Sequence, residues 1–376
     1  MRTTLDGLDR RLADSTLALV DIPSPSRDEH AVADYVTARL SAAGLGGTLV
    51  RRRESVATLG AFEPVAEAPR ILLVGHLDTV PAQDNLPGRL DAGTVHGVGS
   101  ADMKGAVAVM LALAEDIGAG ALSPTVGVDF VFYDREEVAV AESGLTPLLD
   151  EFDALSGAAL AIVMEPTGDT VQFGCLGNVD ATLVFHGRTG HSARPWLAEN
   201  AVHKGIRALQ ALATRAPLDD VIDGLVYREV ASVTMASGGR AANVVPDTFE
   251  ARVNLRYSPR RTPTAAETLL AEIAAGADEV VVHSNSPGAM PCVSDPLVER
   301  LLNSGPAGSR SRLGAQAKQA WTDVAQFAAR GVTAVNFGPG DPALAHTREE
   351  HVAVAALVRS HETLTRFLTR PEPEPH

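Results

Sequence analysis

Short apolar runs alternate with amphipathic stretches along the first half of this chain. Residues 71–75, 126–133 and 160–164 are apolar runs with the length of a buried strand. Residues 102–117, between the first two runs, carry apolar side chains nearly all round and predict a buried helix. Because strands and helices alternate, the pattern predicts an α/β fold whose sheet is covered by helices on both faces.

Two further helices are predicted before the first buried strand. Residues 14–20 follow a helical pattern that ends before Pro23. Ser26, followed three residues later by Glu29, has the spacing of a capping box. This spacing predicts a second helix that begins near Ser26 and is closed by Gly44.

A different order of elements is predicted for residues 179–288. Strands are predicted at 179–187, 230–235, 249–257 and 280–283, and helices at 200–213 and 265–275. This β-α-β-β-α-β order predicts a compact unit with its own antiparallel sheet. The first pattern then resumes at residues 296–302 and 332–337. We therefore expect one sheet-and-helix domain formed by residues 1–178 and 289–376, with residues 179–288 inserted into it.

Length and composition restrict the class of protein. A chain of 376 residues exceeds what one core usually holds, which agrees with two domains. The net charge of -15 argues against nucleic acid as a partner, because its phosphates would be repelled. Cys175 and Cys292 form no Cys-x-x-Cys pair and no disulfide framework. The N-terminal residues lack a signal-peptide core, and no apolar run is long enough to span a bilayer. These features predict a cytoplasmic enzyme without a membrane partner.

Histidines and carboxylates follow the predicted strands of the first domain or open its buried helix. The candidates are His76, Asp78, Asp102, Glu136, Glu137, Glu165 and His346. Open α/β sheets bind their ligands at the carboxyl ends of the strands, so these side chains are expected to converge. Two histidines with several carboxylates form a ligand set for zinc, cobalt or manganese. A further carboxylate beyond the ligands can move protons in a metal hydrolase.

Each of these residues also has an ordinary structural interpretation. His76 and Asp78 fit a turn histidine with a capping aspartate, although Asp78 could instead hydrogen-bond the second ring nitrogen of a metal-bound His76. Asp102 fits a helix N-cap or a carboxylate shared by two metal ions. Glu136 and Glu137 fit a solvated pair. Because neighbouring side chains at a strand end point in different directions, one could be a ligand and the other a base.

Together these segments are far more specific than any one alone. They resemble the dinuclear zinc peptidase and deacylase family that includes aminoacylases and glutamate-releasing carboxypeptidases. The resemblance extends over nearly the whole chain. Within the family, the chain is most similar to the succinyl-diaminopimelate desuccinylases, through residues 165–167, 174–177, 190–204, 321–324 and 336–342. Residues 320–323 depart from the Gly-Gly-Thr-Ser segment of some members, which leaves recognition of a succinyl group open.

The resemblance implies two divalent metal ions, with zinc expected and cobalt as the alternative. It assigns one ion to His76, Asp102 and Glu165. It assigns the other to Asp102, Glu137 and His346, so that Asp102 bridges the two ions. It also implies a cis peptide bond between Asp102 and Met103.

The resemblance further implies how the remaining residues act. Glu136 is expected to be the general base and acid, and Asp78 to support the metal-bound histidine. His191 is expected to reach the active site of a partner subunit, where it holds an oxyanion. Asn243 and Arg256 are expected to bind substrate carboxylates. The inserted domain would then serve as a lid and as the dimerisation surface of a homodimer.

The implied activity is metal-dependent hydrolysis of an amide in a small N-acyl amino acid. The favoured substrate is N-succinyl-L,L-diaminopimelate, cleaved to succinate and L,L-diaminopimelate in lysine biosynthesis. The alternative is an acetylornithine deacetylase or a broader N-acyl amino acid hydrolase of the same family. A non-catalytic protein on the same fold is disfavoured, because every expected ligand and the expected base are present.

Overall fold

The computed structural model describes residue 5 and residues 7–64, 67–306 and 312–370. The chain forms two compact units. The first consists of Met1–Phe173, Cys292–Gln316 and Gln326–His376, and the second of Gly174–Pro291 and Ala317–Ala325. The chain therefore leaves the first unit and returns to it more than once.

The first unit is built on a mixed sheet of eight strands. In spatial order these are Thr48–Arg52, Ser55–Leu59, Gly127–Tyr133, Arg70–His76, Leu160–Val163, Thr333–Asn336, Val171–Phe173 and Ala315–Ala317. The four central strands are parallel, from Gly127–Tyr133 to Thr333–Asn336, and the outer pairings whose register is described are antiparallel. Gly127–Tyr133 and Leu160–Val163 are buried throughout, as their apolar sequences predict. The predicted α/β class is confirmed.

Helices and a small sheet complete the first unit. The helices are Gly7–Val20, His30–Ala42, Gly105–Gly118, Leu145–Glu151, Asp153–Ser156, Pro296–Leu302 and Val354–Thr369, and Val324–Ala328 begins in the second unit and ends in the first. His351–Ala353, Thr94–His96 and Arg89–Asp91 form a three-stranded antiparallel sheet. Gly105–Gly118 is buried along almost its whole length, which agrees with its all-round apolar sequence. Within the described ranges, no helix is both long and apolar enough to cross a bilayer.

The predicted capping box at the second helix is wrong. The helix is His30–Ala42, and Glu29 is its N-cap without a side-chain capping bond. The Ser26 hydroxyl donates instead to Asp78 Oδ2 at 2.7 Å, and Glu29 Oε1 accepts from Arg27 N at 2.7 Å. The Ser26 hydroxyl therefore has a tertiary partner, and the Glu29 carboxylate accepts from a main-chain N–H two residues before it, so neither side chain forms the predicted capping bond.

The predicted start of the buried helix at Asp102 is also wrong. The regular helix begins at Gly105, and Ser100–Lys104 forms an irregular turn before it. Asp102, with φ -124° and ψ 93°, is not helical, and the N-cap of Gly105–Gly118 is Lys104. The peptide bond between Asp102 and Met103 is cis, as the family resemblance implies.

The second unit contains an antiparallel sheet of five strands. In spatial order these are Leu218–Ile222, Leu225–Gly238, Thr248–Tyr257, Gly177–His186 and Glu279–Ser286. The helices Ala201–Ala213 and Pro263–Ile273 pack on one face, where alternate residues of the central strands are buried. Gly190–His191 pairs separately with Val244–Val245. The sequence pattern does not anticipate Leu218–Ile222, because most of its residues are exposed and polar and apolar positions do not alternate there.

Candidate metal centre

Three parallel strands of the first unit bring the candidate side chains to one edge of the sheet. His76 is the last residue of Arg70–His76, whose neighbours are Gly127–Tyr133 and Leu160–Val163. Glu136 follows the second strand and Glu165 follows the third. Because the strands are parallel, their carboxyl ends lie together, and side chains distant in sequence meet there.

The six predicted ligand and base side chains form three overlapping groups. In each group, one donor atom from each residue lies within 4.8 Å of the others. The groups are His76 with Asp102 and Glu165, His76 with Glu136 and Glu137, and Asp102 with Glu137 and His346. Asp102 belongs to both groups that the family resemblance assigns to separate ions.

His76 is held by both of its ring nitrogens. Nε2 lies 3.1 Å from Asp102 Oδ1. Nδ1 lies 2.9 Å from the main-chain carbonyl of Asp78 and 3.5 Å from the carboxylate Oδ1 of the same residue. Burial lowers the pKa of His76, but hydrogen bonds with Asp102 and Asp78 outweigh it and hold that pKa well above its usual value. An Nδ1 that donates to a carbonyl leaves Nε2 facing the cluster, which is the orientation of a metal-binding histidine.

Asp78 has a role that the sequence spacing does not indicate. Its carboxylate accepts from Glu136 N at 2.9 Å, from Glu137 N at 3.0 Å and from the Ser26 hydroxyl at 2.7 Å. Burial raises the pKa of Asp78. Its interactions with His76 and the hydrogen bonds from Ser26 and Glu136 lower this pKa by more than burial raises it, so the pKa lies below its usual value. Asp78 therefore fixes the main chain that carries both glutamates, in addition to lying beside His76.

The expected divergence of Glu136 and Glu137 is not seen. Arg135, just before them, has a φ of 63°, so the alternation of Gly127–Tyr133 does not continue to this pair. Both carboxylates lie within 4.8 Å of a His76 ring nitrogen. The division of the pair into base and ligand therefore depends on the family resemblance and not on strand geometry.

His346 closes the cluster from the C-terminal part of the chain. Its Nε2 lies 2.9 Å from Glu137 Oε1 and 3.6 Å from Asp102 Oδ2. Its main-chain carbonyl accepts from Gln83 Nε2 at 3.0 Å. The hydrogen bond with Glu137 is the main cause that raises the pKa of His346 to about 9. A metal ion bound here near neutral pH must therefore displace a proton from the ring.

The donor set fits a divalent metal centre. Two imidazoles and four carboxylates converge, and this combination suits zinc, cobalt or manganese. Carboxylates packed this closely repel one another unless cations lie between them. The residues present therefore match the two ions that the family resemblance implies.

Glu350 is part of this region, although no pattern in the sequence indicates it. Its carboxylate accepts from Gly99 N at 2.9 Å, from Ala101 N at 3.0 Å and from Asp102 N at 3.0 Å. Burial raises the pKa of this carboxyl group to about 7. A glutamate in a run of polar residues is typical of a surface segment, and no local spacing links it to a loop 248 positions earlier.

The other predicted site residues lie in the second unit. His191 and Asn243 are neighbours, because Ser192 N donates to the Asn243 carbonyl at 3.0 Å. Nδ1 of His191 accepts from Ala193 N at 3.0 Å, so Nε2 carries the proton in the neutral ring. Arg256 extends from the sheet face opposite the helices, and its Nε donates to Asn254 Oδ1 at 2.8 Å.

Residues 320–323, which depart from the pattern of some family members, also lie in the second unit. Trp321 Nε1 donates to the Pro287 carbonyl at 3.0 Å, and the Thr322 carbonyl lies 3.7 Å from Cys175 Sγ. Cys175 and Cys292 are both free thiols, as the sequence predicts. The segment is therefore fixed to neighbouring main chain of its own unit.

Comparisons with known proteins give one consistent family. A sequence model described as peptidase family M20/M25/M40 matches residues 72–370. A Mycobacterium tuberculosis protein provisionally named succinyl-diaminopimelate desuccinylase DapE is 40% identical over 94% of this chain and 96% of its own length. The Corynebacterium glutamicum protein named succinyl-diaminopimelate desuccinylase is 36% identical over 94% of this chain and 95% of its own.

Solved structures agree at the level of the fold. A tripeptidase from Staphylococcus aureus has a TM-score of 0.76 at 19% identity, over 96% of this chain and 97% of its own. A metallo-carboxypeptidase from Sulfolobus solfataricus has a TM-score of 0.74 at 16% identity, over 97% of this chain and 99% of its own. Both are similar to this chain along nearly its whole length.

Proposed function

Because this chain belongs to peptidase family M20/M25/M40 and is a metal-dependent amide hydrolase, we propose that it is a desuccinylase. We also propose that it acts in the cytoplasm, as its sequence predicts. Its substrate would be N-succinyl-L,L-diaminopimelate, and its products succinate and L,L-diaminopimelate. The convergence of two histidines and four carboxylates at one sheet edge carries the chemistry. The relatives named desuccinylases, 36–40% identical over 94% of the chain, support the substrate.

Two divalent ions, zinc or cobalt, would be held by five of the converging residues. We assign one ion to His76, Asp102 and Glu165 and the other to Asp102, Glu137 and His346. When bound, such ions supply Lewis acidity toward water and toward the amide carbonyl. The Asp78 main-chain carbonyl contributes by fixing the His76 ring, so that Nε2 faces the cluster.

Glu136 is proposed to move the proton in the reaction. One of its carboxylate oxygens would accept a proton from the attacking water and deliver it to the leaving amine nitrogen. The main chain at Glu136 and Glu137 is fixed by Asp78, so the base is held close to the ligands. A base that is positioned before substrate binds has less orientation entropy to lose in the transition state.

Residues of the second unit are proposed to bind the substrate. The protonated Nε2 of His191 can donate to the oxygen of a tetrahedral intermediate. Arg256 and Asn243 would bind a carboxylate of the substrate, since a guanidinium can form two parallel hydrogen bonds with one. The arginine would attract the substrate locally, although the net charge of -15 repels it at long range.

Removing metal is expected to abolish activity, and adding zinc or cobalt is expected to restore it. The apparent metal affinity should rise between roughly pH 6 and pH 9, because the ring proton of His346 must leave before a metal ion binds. Activity and metal content measured after chelation test the first expectation. Metal titrations of the protein at several pH values test the second. Full activity in metal-free protein would contradict the proposed function.

The inserted region, residues 179–288, is proposed to be a lid that forms a homodimer. Its edge strand Glu279–Ser286 carries Val280, Val281 and Val282, each about 40% exposed. An exposed edge strand with apolar side chains is suited to pairing with a second copy.

We expect a dimer in light scattering. Mixing His191→Ala with Glu136→Gln should restore part of the activity if His191 serves the partner's site. A fully active monomer would rule this out.

A further inference from the structure

Glu350 joins two segments of the first unit that lie far apart in the sequence. Its carboxylate accepts the three main-chain hydrogen bonds from residues 99–102 described above. Its own main-chain carbonyl accepts from Gly97 N at 3.0 Å. Because His346 lies only four residues before it, Glu350 holds the segment of one candidate ligand against the loop of another, Asp102.

The loop cannot satisfy these amides by itself. Asp102 and Met103 have non-helical backbone angles, and Gly99 has a φ of 77°, so the turn lacks the regular hydrogen bonds of a helix. Glu350 is only 2% exposed, so water has little access to take its place. A buried main-chain N–H that loses its acceptor destabilises the folded protein.

The geometry of Asp102 is sensitive to this support. Its Oδ1 lies 3.1 Å from His76 Nε2, and its Oδ2 lies 3.6 Å from His346 Nε2. Glu350 accepts from the main-chain N–H of the same aspartate. Any shift of the loop therefore moves both carboxylate oxygens relative to both histidines.

We propose that Glu350 is a positioning residue that sets the metal affinity of the centre by holding Asp102 between His76 and His346. The inference rests on the proposed metal centre and adds to it a residue outside the proposed ligands and base. Residues that orient metal ligands typically change metal affinity by about 10- to 100-fold when they are replaced.

The two carboxylate oxygens of Glu350 allow a graded test. Oε1 accepts from Ala101 and Asp102, and Oε2 accepts from Gly99. In Glu350→Gln, the amide oxygen can keep the pair of bonds at Oε1, but the amide NH₂ faces the N–H of Gly99 and cannot accept from it. In Glu350→Ala, both acceptor oxygens and all three hydrogen bonds are lost.

Zinc and cobalt affinities of the purified protein, measured by competition with a chromogenic chelator, test the proposal. We expect Glu350→Gln to bind about tenfold more weakly than wild type and Glu350→Ala about a hundredfold more weakly. Glu349→Gln is the matched control. Glu349 is the preceding residue, its side chain is exposed, and the substitution removes the same charge. The control should bind metal like wild type.

Two further readouts separate positioning from simple loss of folding. Circular dichroism of Glu350→Gln should match that of Glu349→Gln, and its metal-free unfolding should remain one cooperative transition, with a midpoint lowered only by the lost Gly99 hydrogen bond. The visible spectrum of the cobalt-loaded form should change. Wild-type affinity and an unchanged cobalt spectrum in Glu350→Gln would overturn the inference, even if Glu350→Ala fails to fold. A wild-type protein that binds neither metal would instead overturn the proposed function.

Discussion

Replacing Glu136 with glutamine is expected to reduce turnover on the order of a thousandfold while leaving metal content unchanged. Removal of a positioned acid–base group typically costs 10²- to 10⁴-fold. The amide keeps the shape of the side chain but cannot accept a proton. The main-chain hydrogen bond to Asp78 does not involve the altered group, so the turn should be preserved.

Glu137→Gln is the matched control, because the two glutamates are adjacent and both reach the cluster. This variant should lose metal, since the family resemblance makes Glu137 a ligand and its carboxylate lies 2.9 Å from His346 Nε2. Kinetics combined with metal analysis of both variants tests the assignment. Metal loss in Glu136→Gln with metal retention in Glu137→Gln would show that the two roles are exchanged.

Replacing Arg256 with alanine is expected to lower kcat/KM on N-succinyl-L,L-diaminopimelate about a hundredfold, or ~2.7 kcal/mol. Charge-assisted bidentate contacts are stronger than neutral ones, and binding energy from a remote carboxylate can orient the reacting amide. An N-acyl substrate that lacks this carboxylate should lose much less. Steady-state kinetics on both substrates measures the difference.

Arg252→Ala provides the control for Arg256→Ala. Arg252 lies on the same face of Thr248–Tyr257, where it forms an ion pair with Asp180. Its loss should affect both substrates by the same small factor. If Arg256→Ala also lowers the rates on both substrates equally, Arg256 supports the sheet and does not bind substrate.

The central strands and the clustering of the site could be predicted because they depend on local patterns and one general rule. Apolar runs identify the buried strands 71–75, 126–133 and 160–164, and parallel strands place the residues after them at one edge. The predicted family and the metal-dependent hydrolase activity are confirmed by the family match and by the similarity to proteins named desuccinylases.

The supporting interactions could not be predicted, because they join segments without any fixed spacing. Ser26 and Glu29 matched a capping box, yet Asp78 takes the Ser26 hydroxyl. The sequence pattern predicts a helix that starts at Asp102, yet this residue lies in an irregular turn, where its N–H donates a hydrogen bond to Glu350. A tertiary acceptor satisfies these polar groups as well as a local one does, so a local pattern alone cannot decide between them.

Steady-state kinetics with a panel of substrates tests the central claim most directly. The metal-loaded enzyme should be compared on N-succinyl-L,L-diaminopimelate, N-acetylornithine and several simple N-acyl amino acids, with release of the free amine as the readout. We expect kcat/KM on the succinyl substrate to exceed that on every other by roughly a hundredfold, the size of the contribution expected from the remote carboxylate. Faster turnover of N-acetylornithine, or equal rates across the panel, would contradict the account and identify a deacetylase or a broad N-acyl amino acid hydrolase instead.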